Sequence, residues 1–343
     1  MLPVKKYFLR LNFNDPSRKK SIHSFLKEWE SSDDLMSVHT SGSTGPPKTI
    51  QLKKEHMVIS AKKTLSQLQI ADASTLHLGL STKTIAGKMM LVRALVNDSN
   101  LIVSEVSTNT LAKINEPIHF SAMVPLQLEN YLQSQVVTPI ETIIVGGAPI
   151  NRQLEQEAAK SISRIYHTFG MTETISHVAL RRLSIESTNH YHALPGIHFS
   201  CNQSNELIIS FPEISEMPIE TRDIVELLNP TTFDWIGRSD NCINSGGIKF
   251  FPENIERRIG QKISYPYFIS SIPDKQLGQC IVLLIESDDS IQLFKDDFSE
   301  LLGIYELPKY YQTLKEFIKT ANGKINRTLT LEKTSANAWR KIL

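Results

Sequence analysis

A short apolar, β-branched run, Ile140-Glu-Thr-Ile-Ile-Val145, breaks off at Gly146-Gly147-Ala148-Pro149. A helical spacing of Leu154, Ala158 and Ile162 follows, and then a second strand-like run from Arg164 to Thr168. Two strands joined through a helix form a β-α-β unit, and that crossover makes the strands parallel. In sheets of this kind ligands gather beyond the carboxyl ends of the strands. Gly146, Gly147 and Ala148 fall there after the first strand, and Phe169 and Gly170 after the second. Glycine lets a ligand come close to the backbone, and an aromatic ring beside it offers a wall for a flat base.

Two further segments carry a lysine beside glycine. Thr40-Ser-Gly-Ser-Thr-Gly-Pro-Pro-Lys48 places the hydroxyls of Thr40, Ser41, Ser43 and Thr44 among Gly42 and Gly45, with Lys48 supplying charge. Converging backbone N–H groups, hydroxyls and an ammonium are suited to polyphosphate. The spacing comes near the phosphate loop of nucleotide triphosphatases, yet Pro47 stands where that motif needs glycine, and proline removes an N–H and fixes φ. A strand-like Thr49–Leu52 and an amphipathic helix from Glu55 to Leu68, with Met57, Val58, Ala61, Leu65 and Leu68 on one stripe, should hold this loop between packed elements. Near the other end lies Asn322-Gly-Lys324, so the two lysines suggest a reaction closed between two parts of the chain.

The organisation allows two parts. At 343 residues the chain has room for two domains. Val225–Leu228 reads as a strand, Asn229-Pro-Thr-Thr as a turn, and the composition changes between Gly237 and Asp240. The boundary is therefore expected after 238, giving 1–238 and 239–343. The second part should contain a helix at Pro252–Ile259 and a strand at Cys280–Ile285 in a small α+β fold. A net charge of +1 gives no electrostatic case for nucleic acid, and no apolar run is long enough for membrane insertion. Cys201, Cys242 and Cys280 have neither zinc-site nor disulfide spacing, so a reducing cytoplasm is the simplest compartment.

Five ordered motifs now carry a resemblance. His167-Thr-Phe-Gly-Met-Thr-Glu-Thr174, Thr221-Arg-Asp223, Gly237-Arg-Ser-Asp240, and Leu307-Pro-Lys with Asn322-Gly-Lys324, added to the Thr40–Lys48 loop, resemble the adenylate-forming superfamily of acyl-CoA synthetases, luciferases and adenylation domains. They span Thr40 to Arg327. The short N-terminus, Met123-Val-Pro-Leu-Gln and Ser245-Gly-Gly247 are most similar to its compact o-succinylbenzoate-CoA ligases of menaquinone synthesis. The resemblance implies an α/β fold with a large N-terminal domain of parallel-rich sheets and helices and a small mobile α+β C-terminal domain. It also implies small-molecule substrates: a carboxylic acid, ATP with Mg²⁺, and CoA.

Roles follow from the same resemblance. Glu173 is the expected Mg²⁺ contact, Thr172 an α-phosphate donor, and Lys324 the bridge between the attacking carboxylate and the α-phosphate. Asp223 would accept from the ribose hydroxyls with Arg238 nearby, Thr40 to Gly45 and Lys48 would grip phosphate, and Gly146, Gly147, Ala148, Phe169 and Gly170 would form the base site. Asp240 is the expected hinge. Rotation there would withdraw Lys324 and bring Ser245, Gly246 and Gly247 forward as a CoA tunnel. The acid pocket is expected at Thr174, Ser176 and His177, with a cation from Lys83, Lys88 or Arg93 for a second carboxylate; Lys88, beside a glycine, is the first choice. Two residues depart from the pattern: Arg222 replaces the glycine of Thr-Gly-Asp, and Lys249 stands where related ligases often carry asparagine. Taken singly, Glu173, Asp223 and Lys324 would be solvated surface charges; their joint order reverses that reading. A ligase for another aromatic or short acid, one loading a carrier-protein thiol, and a non-catalytic nucleotide-binding homologue are the alternatives.

Overall fold

The computed structural model describes residues 10–13, 15–39, 49–112, 114–134, 138–186, 188–289, 291–319 and 325–343. β1 (Arg10–Phe13) and α1 (Lys19–Trp29) lead into a hairpin of β2 (Leu35–His39) and β3 (Thr49–Lys53). The expected phosphate loop, Thr40 to Lys48, joins these two strands and lies outside the described residues. Helices and strands then alternate: α2 (Lys54–Gln67), β4 (Thr75–Leu78), α3 (Ile85–Val96), β5 (Asn100–Val103), β6 (Ile118–Met123), α4 (Pro125–Gln133), β7 (Ile140–Val145), α5 (Arg152–Ala159) and β8 (Arg164–Gly170). After β8 come strands alone: β9 (His177–Leu183), β10 (Tyr191–Ala193), β11 (His198–Cys201), β12 (Glu206–Ser210), β13 (Ile219–Asn229) and β14 (Thr232–Arg238), with short 3₁₀ turns between some elements.

These strands form one sheet in the order β1-β5-β4-β6-β7-β8-β9-β10-β14-β13-β12-β11. From β1 to β8 every pairing is parallel, as the crossovers through α3, α4 and α5 require. From β8 onward every pairing is antiparallel. The change has a local cause, since only Met171–Ser176 joins β8 to β9, too short for a crossover. One apolar core, with Met57, Leu65, Met90 and Leu91, covers one face; a second, with Leu128, Leu154 and Ala158, covers the other. The helix expected to include Ile162 ends at Ala159, and Ile162 is exposed.

A smaller sheet follows: β15 (Ile243–Ser245), β16 (Ile248–Phe250), β17 (Tyr267–Asp274), β18 (Gly278–Glu286), β19 (Tyr310–Leu314) and β20 (Arg340–Lys341), with α6 (Pro252–Ile259) and α7 (Arg327–Glu332). Its own cores hold Ile255, Ile281 and Leu283 on one side and Phe268, Val282 and Phe317 on the other. α6 begins on Pro252, whose missing N–H costs nothing in the first turn, and carries Arg257 and Arg258 in its last turn, where cations suit the helix dipole. Its Glu253 meets the end of β14: a Cβ on Gly237 would come within 2.7 Å of Glu253 Oε2, and Asn241 donates to Glu253 Oε1.

Candidate active site

Two strand ends of the parallel half carry the glycines singled out by sequence. β7 stops at Val145, and Gly147 turns the chain with φ +87°, a conformation glycine adopts freely. β8 runs on through Phe169 to Gly170, so these are its last residues rather than the first beyond it. Phe169 packs edge-on against Tyr191 and Phe233, at 5.9 and 5.0 Å between ring centroids. A Cβ on Gly170 would lie 2.4 Å from both His177 Cα and the Ser176 carbonyl, so the closing of β8 on β9 admits no larger residue without moving backbone.

The connection between these strands is strained. Ile175, buried and β-branched, holds φ 67° and ψ −54°, and Ser176 N–H donates to the Thr174 carbonyl at 2.8 Å. This is a γ-turn with positive φ, which costs energy and persists only where its surroundings hold it. Thr174 is one holder: its hydroxyl oxygen accepts from Met171 N–H at 3.0 Å and lies 2.9 and 2.7 Å from the Met171 and Ser176 carbonyls. Thr174 is completely buried, and its hydroxyl knits the turn. Glu173 projects into solvent, and its carboxylate has no hydrogen bond or ion pair among the described residues. No group of three or more His, Cys, Asp or Glu among the described residues could hold a metal alone. Mg²⁺ at Glu173 would thus take phosphate oxygens as further ligands, the way magnesium is commonly held.

The cation beside this turn is Arg93 and not Lys88. Lys88 Nζ donates to the Ser37 carbonyl at 2.8 Å and pairs with Glu28 at 3.5 Å, so its charge anchors β2 to α3. Arg93, one and a half turns along the same helix, is only 2% exposed. Its Nη2 donates to Ser176 Oγ at 3.1 Å and to Thr64 Oγ1 at 3.4 Å, while Nε has no partner. No carboxylate pairs with it among the described residues, and burial pushes the guanidinium down to about 9. His177 Nε2 sits 3.2 Å from Thr64 Oγ1, and burial followed by the Arg93 charge holds this imidazole neutral. Ser176 Oγ also meets Ser60 Oγ at 3.1 Å. The expected residues Ser176 and His177 are therefore gathered around one unneutralised buried cation. Arg93 stands in the unbroken apolar stretch Met89–Val96, and that placement was the available signal for its burial.

On the antiparallel side Asp223 faces Arg238 across β13 and β14. Trp235 Nε1–H donates to Asp223 Oδ1 at 2.8 Å, and Arg238 Nη1 approaches Oδ2 at 3.6 Å. Burial raises the Asp223 carboxyl, with the Trp235 hydrogen bond and the Arg238 charge opposing. Arg238 is shared with Asp240, which it grips through Nε at 2.9 Å and Nη2 at 2.7 Å. The departure at Arg222 has a local rationale, because Arg222 pairs with Glu206 at 3.1 Å on the neighbouring strand. Ser239 also donates to Glu206, whose carboxyl is lowered to about 2 by its hydrogen bonds from Ser239, Asn202 and Arg222.

In the smaller sheet Ser245 and Ile248 flank a two-residue hairpin turn of Gly246 and Gly247, with φ +62° and +83°. Two positive φ values are what such a turn needs, so backbone geometry already requires both glycines. Lys249 is exposed on the strand that follows. Lys324 lies outside the described residues; its flanks Lys319 and Ile325 pair in a β-bridge. Three residues on, Arg327 grips Glu256 of α6 through two hydrogen bonds of 2.6 and 2.7 Å.

A family model described as AMP-binding enzyme matches residues 7–202, more than half of the chain. The chain is 22% identical to a probable 2-succinylbenzoate–CoA ligase of Mycobacterium tuberculosis, covering 94% of this chain and 91% of that protein. It is 34% identical to an acyl-CoA synthetase (AMP-forming)/AMP-acid ligase II-like protein from Dyadobacter fermentans, with a TM-score of 0.61 over 91% of this chain and 93% of the other. The fold is also that of the o-succinylbenzoate coenzyme A synthetase from Bacillus subtilis solved with ATP and magnesium, at TM-score 0.76, 19% identity, and 86% and 69% coverage. With the family model matching more than half of its length and the motif order intact, the chain belongs to the AMP-binding enzyme family.

Proposed function

We propose that this chain is an ATP-dependent acid–thiol ligase that activates a carboxylic acid as an acyl-adenylate and passes the acyl group to CoA, with o-succinylbenzoate as the acid. The observation that carries the choice of acid is Arg93, a buried guanidinium with an unpartnered Nε and no carboxylate paired with it among the described residues. An unpaired buried charge costs several kcal/mol, and a substrate with a second, non-reacting carboxylate would remove that cost on binding. Relatives named as 2-succinylbenzoate–CoA ligases support the same acid.

In this reading Ser176 and His177 line the acid site with Arg93, and Thr172 donates to the α-phosphate. Mg²⁺ held between Glu173 and phosphate would screen the charge that otherwise keeps carboxylate and triphosphate apart. Asp223 accepts from the ribose through Oδ2, which carries no hydrogen bond from Trp235 and lies 3.6 Å from Arg238 Nη1. Thr40 to Lys48 grip the leaving pyrophosphate and Lys324 stabilises charge at the reacting carboxylate. The units 1–238 and 239–343 then rotate at Asp240 to bring Ser245, Gly246 and Gly247 to the adenylate for thiol attack. The three cysteines are free, in keeping with a reducing cytoplasm.

The test is product analysis of purified protein with ATP, Mg²⁺, CoA and a panel of aromatic and short-chain acids. o-Succinylbenzoyl-CoA, AMP and pyrophosphate in equal amounts are expected. Adenylate without thioester would exclude CoA as the thiol, and preference for a monocarboxylic acid would exclude o-succinylbenzoate.

A further inference from the structure

His167 stands on β8 two residues before Phe169, so both side chains lie on one face of the strand. Its ring is engaged at both nitrogens: Nε2 lies 3.3 Å from the Ala148 carbonyl oxygen and Nδ1 meets the Tyr191 hydroxyl. A carbonyl only accepts, which places the proton on Nε2 and leaves Nδ1 to accept from the Tyr191 O–H. Burial, with the Arg181 charge adding to it, pushes the imidazole down to about 4, so the ring stays neutral in neutral solution. No other described residue donates to the Ala148 carbonyl.

Tyr191 is itself fixed. Its ring stacks on Phe233 at 5.4 Å, and the Arg181 guanidinium lies 5.6 Å from its centroid. Arg181 pairs with Glu155 in the first turn of α5, the helix that begins directly after the Ala148 turn. The turn is thus clamped from two sides, by its own helix through Glu155 and Arg181, and by its carbonyl through Tyr191 and His167.

We infer that His167 is a positioning residue for nucleotide binding, which holds the Gly146–Pro149 turn in place as one wall of the purine site beside Phe169. The inference rests on the proposed reading of that turn as a nucleotide contact. His167 touches no phosphate and moves no proton; its effect passes through the Ala148 carbonyl.

The test measures binding of MgATP alone by calorimetric titration, so that it is independent of the acid. In His167→Gln the amide N–H reaches the position of Nε2 and can still donate to Ala148, whereas in His167→Asn the shorter amide cannot. The expected result is an ATP Kd about three- to tenfold weaker in His167→Asn, as for one lost neutral hydrogen bond, and within about twofold of wild type in His167→Gln. Phe169→Ala serves as the control for the underlying site. Weak binding in Phe169→Ala with no change in His167→Asn overturns the role of His167 alone, and equal weakening in His167→Gln and His167→Asn does the same. Unchanged binding in Phe169→Ala removes the purine site from this turn and the inference with it.

Discussion

Replacing Arg93 with methionine separates folding from substrate binding. The guanidinium is 2% exposed, and burial pushes it down to about 9, which at about 1.4 kcal/mol per pH unit is a desolvation cost on the order of several kcal/mol. Relaxation and the bonds to Ser176 and Thr64 reduce what a substitution recovers, and apolar replacements of buried charges typically gain about 1–4 kcal/mol. The sign follows from the depressed value. Below about pH 9 the folded protein carries the full cost of a charged Arg93, and the cost is released as pH rises above about 9. Arg93→Met should therefore be as stable as wild type or more stable at pH 7, with the difference shrinking above pH 9, as denaturant titration would read it. The KM for o-succinylbenzoate should rise at least about thirtyfold, since losing one partner of a buried charge pair costs about 2 kcal/mol or more. Benzoylpropionate, which lacks the ring carboxylate, should be affected little. A variant that melts several degrees lower and loses both acids equally would refute the argument and make Arg93 a structural donor.

Lys324→Ala should abolish adenylate formation while sparing thioester formation from supplied acyl-adenylate; equal loss in both half-reactions refutes the division. Asp240→Pro should do the reverse, accumulating adenylate, with Asp240→Asn as the control that loses the Arg238 pairing but keeps the rotation; a normal thioester rate in the proline variant places the hinge elsewhere. Gly170→Ala should lower stability by about 1–3 kcal/mol and slow adenylation, because its Cβ would meet backbone at 2.4 Å; wild-type melting and rate would contradict that constraint. His77 and His167, held down to about 3 and about 4 against 6.5 when unfolded, stay neutral in the fold while the unfolded chain takes up protons. Stability should thus fall as pH drops from about 6.5 to 4, by about 3 kcal/mol for His167 alone, and His167→Gln should flatten that slope.

Elements with a strong local period were legible in the sequence. Ile140–Val145 and Pro252–Ile259 have the same bounds in the structure as in the reading, because a β-branched run stopped by glycines and a helix opened by proline are decided locally. The pairing of β1 with β5 and the three-residue β10 were not legible, since neither has enough residues to declare a period and both exist only through their neighbours. At the site, motif order located the Met171–His177 turn, but the strain at Ile175 and the internal use of the Thr174 hydroxyl depend on how β9 returns. The choice between Lys88 and Arg93 was open on the same ground. Residue type and spacing favoured both, and only packing shows that Lys88 reaches Glu28 while Arg93 has no acid paired with it among the described residues. The glycines at 246 and 247 illustrate the converse, a functional reading for residues that a tight turn already demands.

The most direct test of the account is acid-dependent exchange of labelled pyrophosphate into ATP, without CoA, comparing o-succinylbenzoate with benzoylpropionate on wild-type protein. The account predicts exchange with o-succinylbenzoate at least about thirtyfold more efficient, on the same charge-pair reasoning as for Arg93→Met. Equal exchange with both acids, or exchange that ignores the added acid, would contradict it.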